Sequence, residues 1–389
     1  MNKELQLILD CVPKDSCEIN WEALESSCLG VYFAQMAEKP QNPFFHGEGD
    51  VYTHTKMVCR ELVKLDEYKE MSDKDKEIMF LACLLHDVGK IKCTKLIDGR
   101  WSSPYHSKKG ALKARSILWK ELGLCGSYEL QQMRECICYL IRYHSFPPYA
   151  MESERGEIRI LKIASQGELC PLFTMRKLYI LEKADMLGRI CPDIDRSLEK
   201  VEYFKIMCQE LSCLDSPYKF ADEFSQRAYF KERLSYYGQS LFDDSWGEVI
   251  ILSGLPGTGK DTWIKKNYPD TPVVSLDDIR LRLNVSPTDK QAPVIEEAER
   301  MSRELLRQKQ PFIWNATSIN SQLRQGQIAL FEDYGARVKI VFLETEWSEQ
   351  LRRNSDRRAV VPQPVIEKML NNLEIPERHE CQRVIWQIT

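Results

Sequence analysis

The sequence predicts two domains in tandem, an all-α domain followed by an α/β domain built on a central parallel sheet. Three observations predict this. The chain has 389 residues, enough for two substantial cores. Residues 1–213 are rich in Leu, Cys and Met and carry long segments of 3.6-residue periodicity with few strand-like runs. Beyond Trp246 short β-branched and aromatic runs alternate with helical segments, the pattern of a parallel sheet covered on both faces.

In the first part, Asp73–Leu85, Lys108–Leu122, Glu129–Tyr143 and Thr174–Arg189 read as helices. From Ser216 to Trp246 the pattern turns aromatic and polar, with Tyr218, Phe220, Phe224, Tyr229, Phe230, Tyr236 and Tyr237. It reads as a helical connector, giving an expected division into residues 1–213, 214–246 and 247–389. In the last part the strands are Val249–Ser253, Val273–Ser275, Phe312–Asn315 and Val338–Leu343. The helices between them are Asp261–Lys266, Val294–Lys309 and Ser321–Tyr334.

Composition is that of a globular protein, 43% hydrophobic and 29% charged. The longest apolar run, Ile78–Leu85, is far short of the roughly 18 residues of a membrane span. The opening MNKELQLILD places acids inside its apolar stretch and does not read as a signal peptide. Of 14 cysteines, 13 precede residue 214 and none forms a C-x-x-C pair, so free thiols in a reducing cytoplasm are expected. The net charge of −4 means that a nucleic-acid partner would be held by local basic clusters, not by a basic whole.

The loop Gly254-Leu-Pro-Gly-Thr-Gly-Lys260 follows a buried strand and opens a helix. That placement makes the pattern informative. Backbone N–H groups of Gly257, Thr258, Gly259 and Lys260 must point into one concavity at a helix N-terminus to hold phosphate oxygens. Lys260 then reaches the β- and γ-phosphates of a nucleoside triphosphate such as ATP. Asp261 stands where a Ser or Thr hydroxyl usually ligates Mg²⁺, and Thr262 comes next. Either Asp261 is the metal ligand or Thr262 faces the phosphates. Asp277 and Asp278 come just after the second strand, at the sheet's carboxyl edge, where a carboxylate can accept a proton from an attacking hydroxyl. Arg352-Arg353-Asn354-Ser355-Asp356-Arg357-Arg358 follows the fourth strand. Arg353 and Arg357 are four apart and are expected to share a helix face and close over the transferring phosphate.

The set GLPGTGKDTW, SLDDIR, WNATSIN and LRRNSDRR is similar, in order and spacing, to the P-loop domain of phage-type 5′-OH polynucleotide kinases, over nearly all of residues 248–370. The resemblance implies that Asp277 is the general base on a 5′-hydroxyl and that Arg280 touches the acceptor strand's phosphate. It implies that Lys260, Arg353 and Arg357 neutralise the transferring group. Thr262 matches the family's Thr, Asp261 replaces its Mg²⁺-binding Ser, and Asn315 stands where the family often has an Asp.

Five of the six histidines lie between residues 46 and 144: His46, His54, His86, His106 and His144. The apolar helix ending Leu84-Leu85-His86-Asp87-Val88-Gly89-Lys90 delivers two ligand-type side chains to its own end, a costly arrangement unless a metal compensates. The series His54, His86-Asp87, His106, His144, Asp185 resembles the HD phosphohydrolase superfamily over roughly residues 40–200. The resemblance implies that His54, His86, Asp87 and Asp185 hold one metal, with His106 and His144 matching members that hold a second. Mixed imidazole and carboxylate suit Mn²⁺, Fe²⁺, Co²⁺, Ni²⁺ or Zn²⁺ better than Mg²⁺. Lys90 and Arg189 are candidate phosphate clamps, and Arg189 would also touch the acceptor.

An HD phosphohydrolase joined to a 5′-OH kinase resembles the bacterial HD–polynucleotide kinase end-healing enzymes. That implies RNA strand ends as substrate, DNA being the alternative, with an NTP as donor and an RNA ligase acting afterwards. Two other readings stay open. One is a small-molecule kinase fused to an HD nucleotidase; the other is a regulatory NTP-binding module.

Overall fold

The computed structural model describes residues 2–286, 289–357 and 360–389. The chain forms two compact units. The first comprises Met1–Cys125 and Glu129–Tyr218, the second Gly126–Tyr128 and Lys219–Thr389.

The first unit is helical except for one short hairpin. Its central helix, Asp73–Leu85, starts at Ser72, whose side chain accepts from the Asp75 N–H. From Ile78 to Leu85 every side chain is buried, as expected of a helix apolar on all sides and enclosed by others. Val51–Lys64, capped by Asp50, packs against it, and Met175–Leu187, capped by Thr174, packs against both. The helix His106–Ser116 continues into a π-turn at Ile117–Glu121, and Tyr128–Tyr143 follows. Between them all, strands β1 (Lys95–Ile97) and β2 (Arg100–Ser102) form an antiparallel hairpin absent from the sequence reading. All fourteen cysteines are free thiols. Among the described residues no helix is long and apolar enough to cross a membrane.

The aromatic stretch expected to be a helical connector is helical only over Glu223–Phe230, where Asp222 supplies the cap. Elsewhere it runs as turns and loops. Asp222 can hold one short helix, but Gly238 and the turn Arg233–Tyr237 leave no further run of helical backbone. The helix belongs to the second unit, where Arg227 forms an ion pair with Glu332 and donates to the His379 carbonyl.

The second unit carries a five-stranded parallel sheet in the order β4-β5-β3-β6-β7. Its strands are β3 (Glu248–Ser253), β4 (Val273–Ser275), β5 (Ile313–Asn315), β6 (Arg337–Glu344) and β7 (Arg383–Ile388). Four were expected; β7, on the edge beside β6, was not. In β3 every residue from Val249 to Ser253 is buried, the mark of a strand covered on both faces. Ile250, Leu252, Ile313, Val341 and Leu343 pack with Trp263 and Ile264 of the helix Lys260–Asn267. All strands run the same way, so the loop after β3, Asp277 after β4, Asn315 at the end of β5 and the segment after β6 emerge at one edge.

Candidate active sites

In the second unit the loop from Gly254 to Lys260 turns with φ of +150° at Gly254, +86° at Gly257 and +78° at Gly259. A side chain at Gly257 would strain the backbone and place its Cβ 2.6 Å from the Gln350 carbonyl. The Lys260 ammonium donates to the Gly254 and Leu255 carbonyls at 2.9 and 3.0 Å. Burial, with help from nearby Arg357, lowers its pKa to about 8. The Asn315 amide donates to Asp261 at 2.7 Å. Asp261, not Thr262, is therefore the residue tied to the strand edge.

Asp277 lies in the first turn of the helix Leu276–Leu283, which Ser275 caps. Its side chain is 67% exposed and meets two guanidinium groups, Arg280 at 2.5 Å and Arg357 at 3.3 Å. Arg280 also donates to Gln291 at 2.8 Å. The expectation of a shared helix face for Arg353 and Arg357 needs correction. The helix Trp347–Ser355 stops at its cap Asp356, so Arg357 lies beyond it. Arg353 instead pairs with Glu349 and donates to the Thr389 hydroxyl at 3.1 Å, beside Gly259. The two arginines approach the crevice from different directions, one at the loop and one at the carboxylate. Arg358 lies outside the described residues.

In the first unit the ends of helices deliver imidazoles to one buried point. His86 and His144 each follow the last residue of a helix, and each donates Nδ1–H to the carbonyl three residues back, Cys83 at 2.7 Å and Ile141 at 2.8 Å. These bonds satisfy otherwise orphaned carbonyls at the helix ends. His106 donates Nδ1–H to Ser103 at 2.9 Å. A carbonyl can only accept, so the tautomer is fixed in all three and each Nε2 carries a lone pair directed inward. Gly89 makes the approach feasible, since a Cβ there would lie 2.1 Å from the His106 carbonyl.

Asp87 sits at the junction. Its Oδ2 lies 3.3 Å from His86 Nε2 and 3.8 Å from His54 Nε2, while its Oδ1 lies 3.6 Å from His106 Nε2 and 3.9 Å from His144 Nε2. Two three-residue donor groups thus share Asp87: His54, His86, Asp87 and Asp87, His106, His144. Asp185 Oδ1 is 2.9 Å from His54 Nε2, so it contacts one histidine of the first group.

The electrostatics fit a cation. Burial lowers His144 to about 3 and also lowers His106, leaving both neutral. Burial would raise Asp87, but Lys90 and His86 outweigh it and hold the carboxyl well below the usual range. Arg189 and His54 do the same for Asp185 against its burial. The Nε2 atoms of His106 and His144 face each other at 3.3 Å, two lone pairs that repel unless something positive lies between them. His86 Nε2 and Asp87 Oδ1 are buried without a hydrogen-bond partner, which is costly for a protein interior unless an ion compensates. The neutral rings of His106 and His144 and the ionised carboxylate of Asp87 form a donor set suited to a divalent transition metal.

The two cations expected to clamp phosphate are engaged elsewhere. Lys90 binds Asp87 at 2.7 Å and Gln41 at 2.6 Å, and Arg189 binds Asp185 at 2.5 Å. Sequence reasoning missed Glu48, whose Oε1 lies 2.8 Å from His46 Nδ1 and 2.9 Å from His54 Nδ1. Its signal was present only as an acid two residues after His46. It also missed Glu182, buried one helical turn before Asp185, whose carboxyl burial and Asp185 push well above the usual range.

Comparison with known families finds a match within each unit. A family model described as an HD domain matches residues 51–166, and one described as an AAA domain matches residues 249–376.

Proposed function

From the premise that this chain is an HD domain followed by a P-loop, kinase-like domain, and so a fused phosphohydrolase and kinase, we propose that it heals broken RNA ends. One unit phosphorylates 5′-hydroxyls at the expense of an NTP, and the other opens 2′,3′-cyclic phosphates and removes the terminal monophosphate. The reading is carried by the coexistence on one chain of a phosphate cradle with an exposed carboxylate at the same sheet edge and a buried His/Asp cluster suited to a divalent ion.

In the kinase reaction the 5′-oxygen attacks the γ-phosphorus while its proton passes to Asp277. The bond from the γ-phosphorus to the bridging oxygen breaks, leaving the nucleoside diphosphate. Asp277 is exposed enough to receive a strand end, and Arg280 and Arg357 beside it meet the phosphates on either side of the transfer. Lys260 and the loop amides hold the β- and γ-oxygens, and Arg353 closes the loop side. Asp261 would be the side chain to meet Mg²⁺, a reading supported by the Asn315 amide that holds its carboxylate at 2.7 Å.

In the hydrolase, His54, His86, Asp87 and Asp185 would hold one ion, and His106 and His144, with Asp87, would serve a second. Such an ion would supply activated water as the nucleophile near neutral pH. The protein's part is to keep His106 and His144 neutral and aimed, and to keep Asp87 and Asp185 ionised through Lys90 and Arg189. The product carries a 2′,3′-diol, which with a 5′-phosphate is what an RNA ligase joins.

RNA ending in 5′-OH and 2′,3′-cyclic phosphate, incubated with γ-labelled ATP, Mg²⁺ and Mn²⁺ or Ni²⁺, tests the reading. Label transfer and release of inorganic phosphate are expected; the absence of both would overturn it. If mononucleosides accept phosphate as well as a ten-mer, the protein is a small-molecule kinase instead.

A further inference from the structure

The hairpin β1/β2 stands at the rim of the hydrolase site and is exposed along its whole length. It is folded by its turn: Asp98 and Gly99 take φ of +48° and +74°, the two positive values of a tight two-residue hairpin turn. Its base is fixed by the Thr94 and Ser103 hydroxyls, 2.8 Å apart, and the Ser103 carbonyl is the one that sets the His106 tautomer. Two residues beyond, Tyr105 holds a left-handed φ of +61° with its ring 79% exposed, directly before His106. A bulky residue in that conformation is strained, and such strain gathers at functional sites.

The hairpin's two faces differ. Leu96 pairs with Trp101 across the strands, so both project to one face, at 59% and 37% exposure. Lys95, Ile97 and Arg100 lie on the other. Between Lys90 and Lys109 there are six basic residues and one acid, in a chain whose net charge is −4. Lys95 and Lys109 both lie within electrostatic reach of Cys93. Among the described residues Lys92, Lys95, Arg100 and Lys109 form no ion pair. A small hairpin buries too little to be kept for stability alone, and a ribbon with exposed rings on one face and unpaired cations on the other offers both kinds of contact that single-stranded nucleic acid uses.

We infer that this hairpin, with Tyr105, is a single-strand docking platform: its cations follow the phosphate backbone and Trp101 and Tyr105 stack on the bases leading to the 3′ end in the metal site. The inference rests on the hydrolase reading above and deepens it, naming a polynucleotide tract and not a mononucleotide as the substrate.

The test is a binding titration of the full-length protein against a ten-nucleotide single-stranded RNA carrying a 5′-fluorescein and a 3′-phosphate, followed by anisotropy in EDTA. The label blocks the 5′ end from the kinase site, and EDTA stops turnover. Trp101→Ala is expected to weaken binding about tenfold, the value of one stacked base. Lys95→Ala with Arg100→Ala should weaken it further and reduce the log–log salt slope by roughly 1.4, as expected for two lost phosphate contacts on a single strand. Hydrolysis of p-nitrophenyl phosphate by both variants should match the parent. Unchanged affinity in both variants overturns the inference, as does a concentration-dependent dimer that Trp101→Ala dissolves. Failure to release phosphate from any ester, with hairpin-dependent RNA binding intact, would sink the hydrolase reading and leave the platform standing.

Discussion

The two sites reach phosphate chemistry by opposite means. The hydrolase site is made of side chains. His54, His86, Asp87, His144 and Asp185 are all buried, and Asp87 and Asp185 are held ionised by Lys90, Arg189 and their histidine neighbours. The kinase site is made of backbone. Three glycines shape its cradle, and the candidate base Asp277 is 67% exposed and, among the described residues, paired with Arg280 and Arg357. A fixed ion needs enclosed, permanently aimed ligands. A diffusing triphosphate and a strand end need an open cradle and groups free to close.

The comparison breaks most sharply in single carboxylates. Asp87→Ala should remove hydrolysis by on the order of 10³-fold or more, since both donor groups lose their shared member. Phosphorylation of 5′-OH ends should persist. Asp277→Ala should do the reverse, by about 10²–10⁴-fold. Parallel assays of label transfer and phosphate release check both; one variant silencing both activities in a folded protein would refute two independent sites.

A backbone-built cradle should be sensitive to a methyl group. Gly257→Ala, at φ +86° and 2.6 Å from the Gln350 carbonyl, is expected to weaken NTP binding by about 10–100-fold through strain of 1–3 kcal/mol. Calorimetry with a non-hydrolysable ATP analogue measures it, and the metal content of the first unit should not change.

A side-chain-built site should be sensitive to what orients its ligands. Glu48→Gln, opposite His54 Nδ1 at 2.9 Å, should reduce ion affinity by about 10–100-fold and leave the kinase untouched. Competition with a metal-sensitive dye reads this directly. An unchanged affinity would mean that Glu48 does not orient His54.

The smallest effect concerns acid. Burial lowers His46 from 6.5 to about 4 and His144 from 6.5 to about 3. The unfolded chain therefore binds more protons than the folded one between these values. The contribution of these two histidines to the stability of the first unit is full above pH 6.5 and falls as pH drops toward 4, by on the order of 1–3 kcal/mol for each. Melting followed from pH 7.5 to 4.5 should show one transition moving down while the other moves less.

Legibility in the sequence followed the same division. The cradle was readable because its residues are contiguous and flanked by a strand and a helix. His86-Asp87 was readable because an apolar helix ending in two polar ligands has no cheaper explanation. Glu48 was not, because it sits between Gly47 and Gly49 in a loop with no period to read. The hairpin carried its signal in Asp98-Gly99, but three-residue strands exposed on both faces show no alternation of apolar and polar residues. β7 is an edge strand with a mixed burial pattern, and its partner β6 lies some forty residues earlier. The relation of Arg353 to Arg357 depended on where one helix stops, and helix ends are fixed by local capping that a four-residue spacing does not encode.

A sheet whose strands all point one way has a quiet edge as well as a busy one. The turn into β5, where Lys309 takes a left-handed φ of +53° and is exposed, belongs to the quiet edge. A dye attached at position 309 through a side chain other than cysteine, since Cys17 is also an exposed thiol, would therefore sit on the far side of the sheet from the cradle, and the protein could be tethered or imaged there while its catalytic rim stays clear.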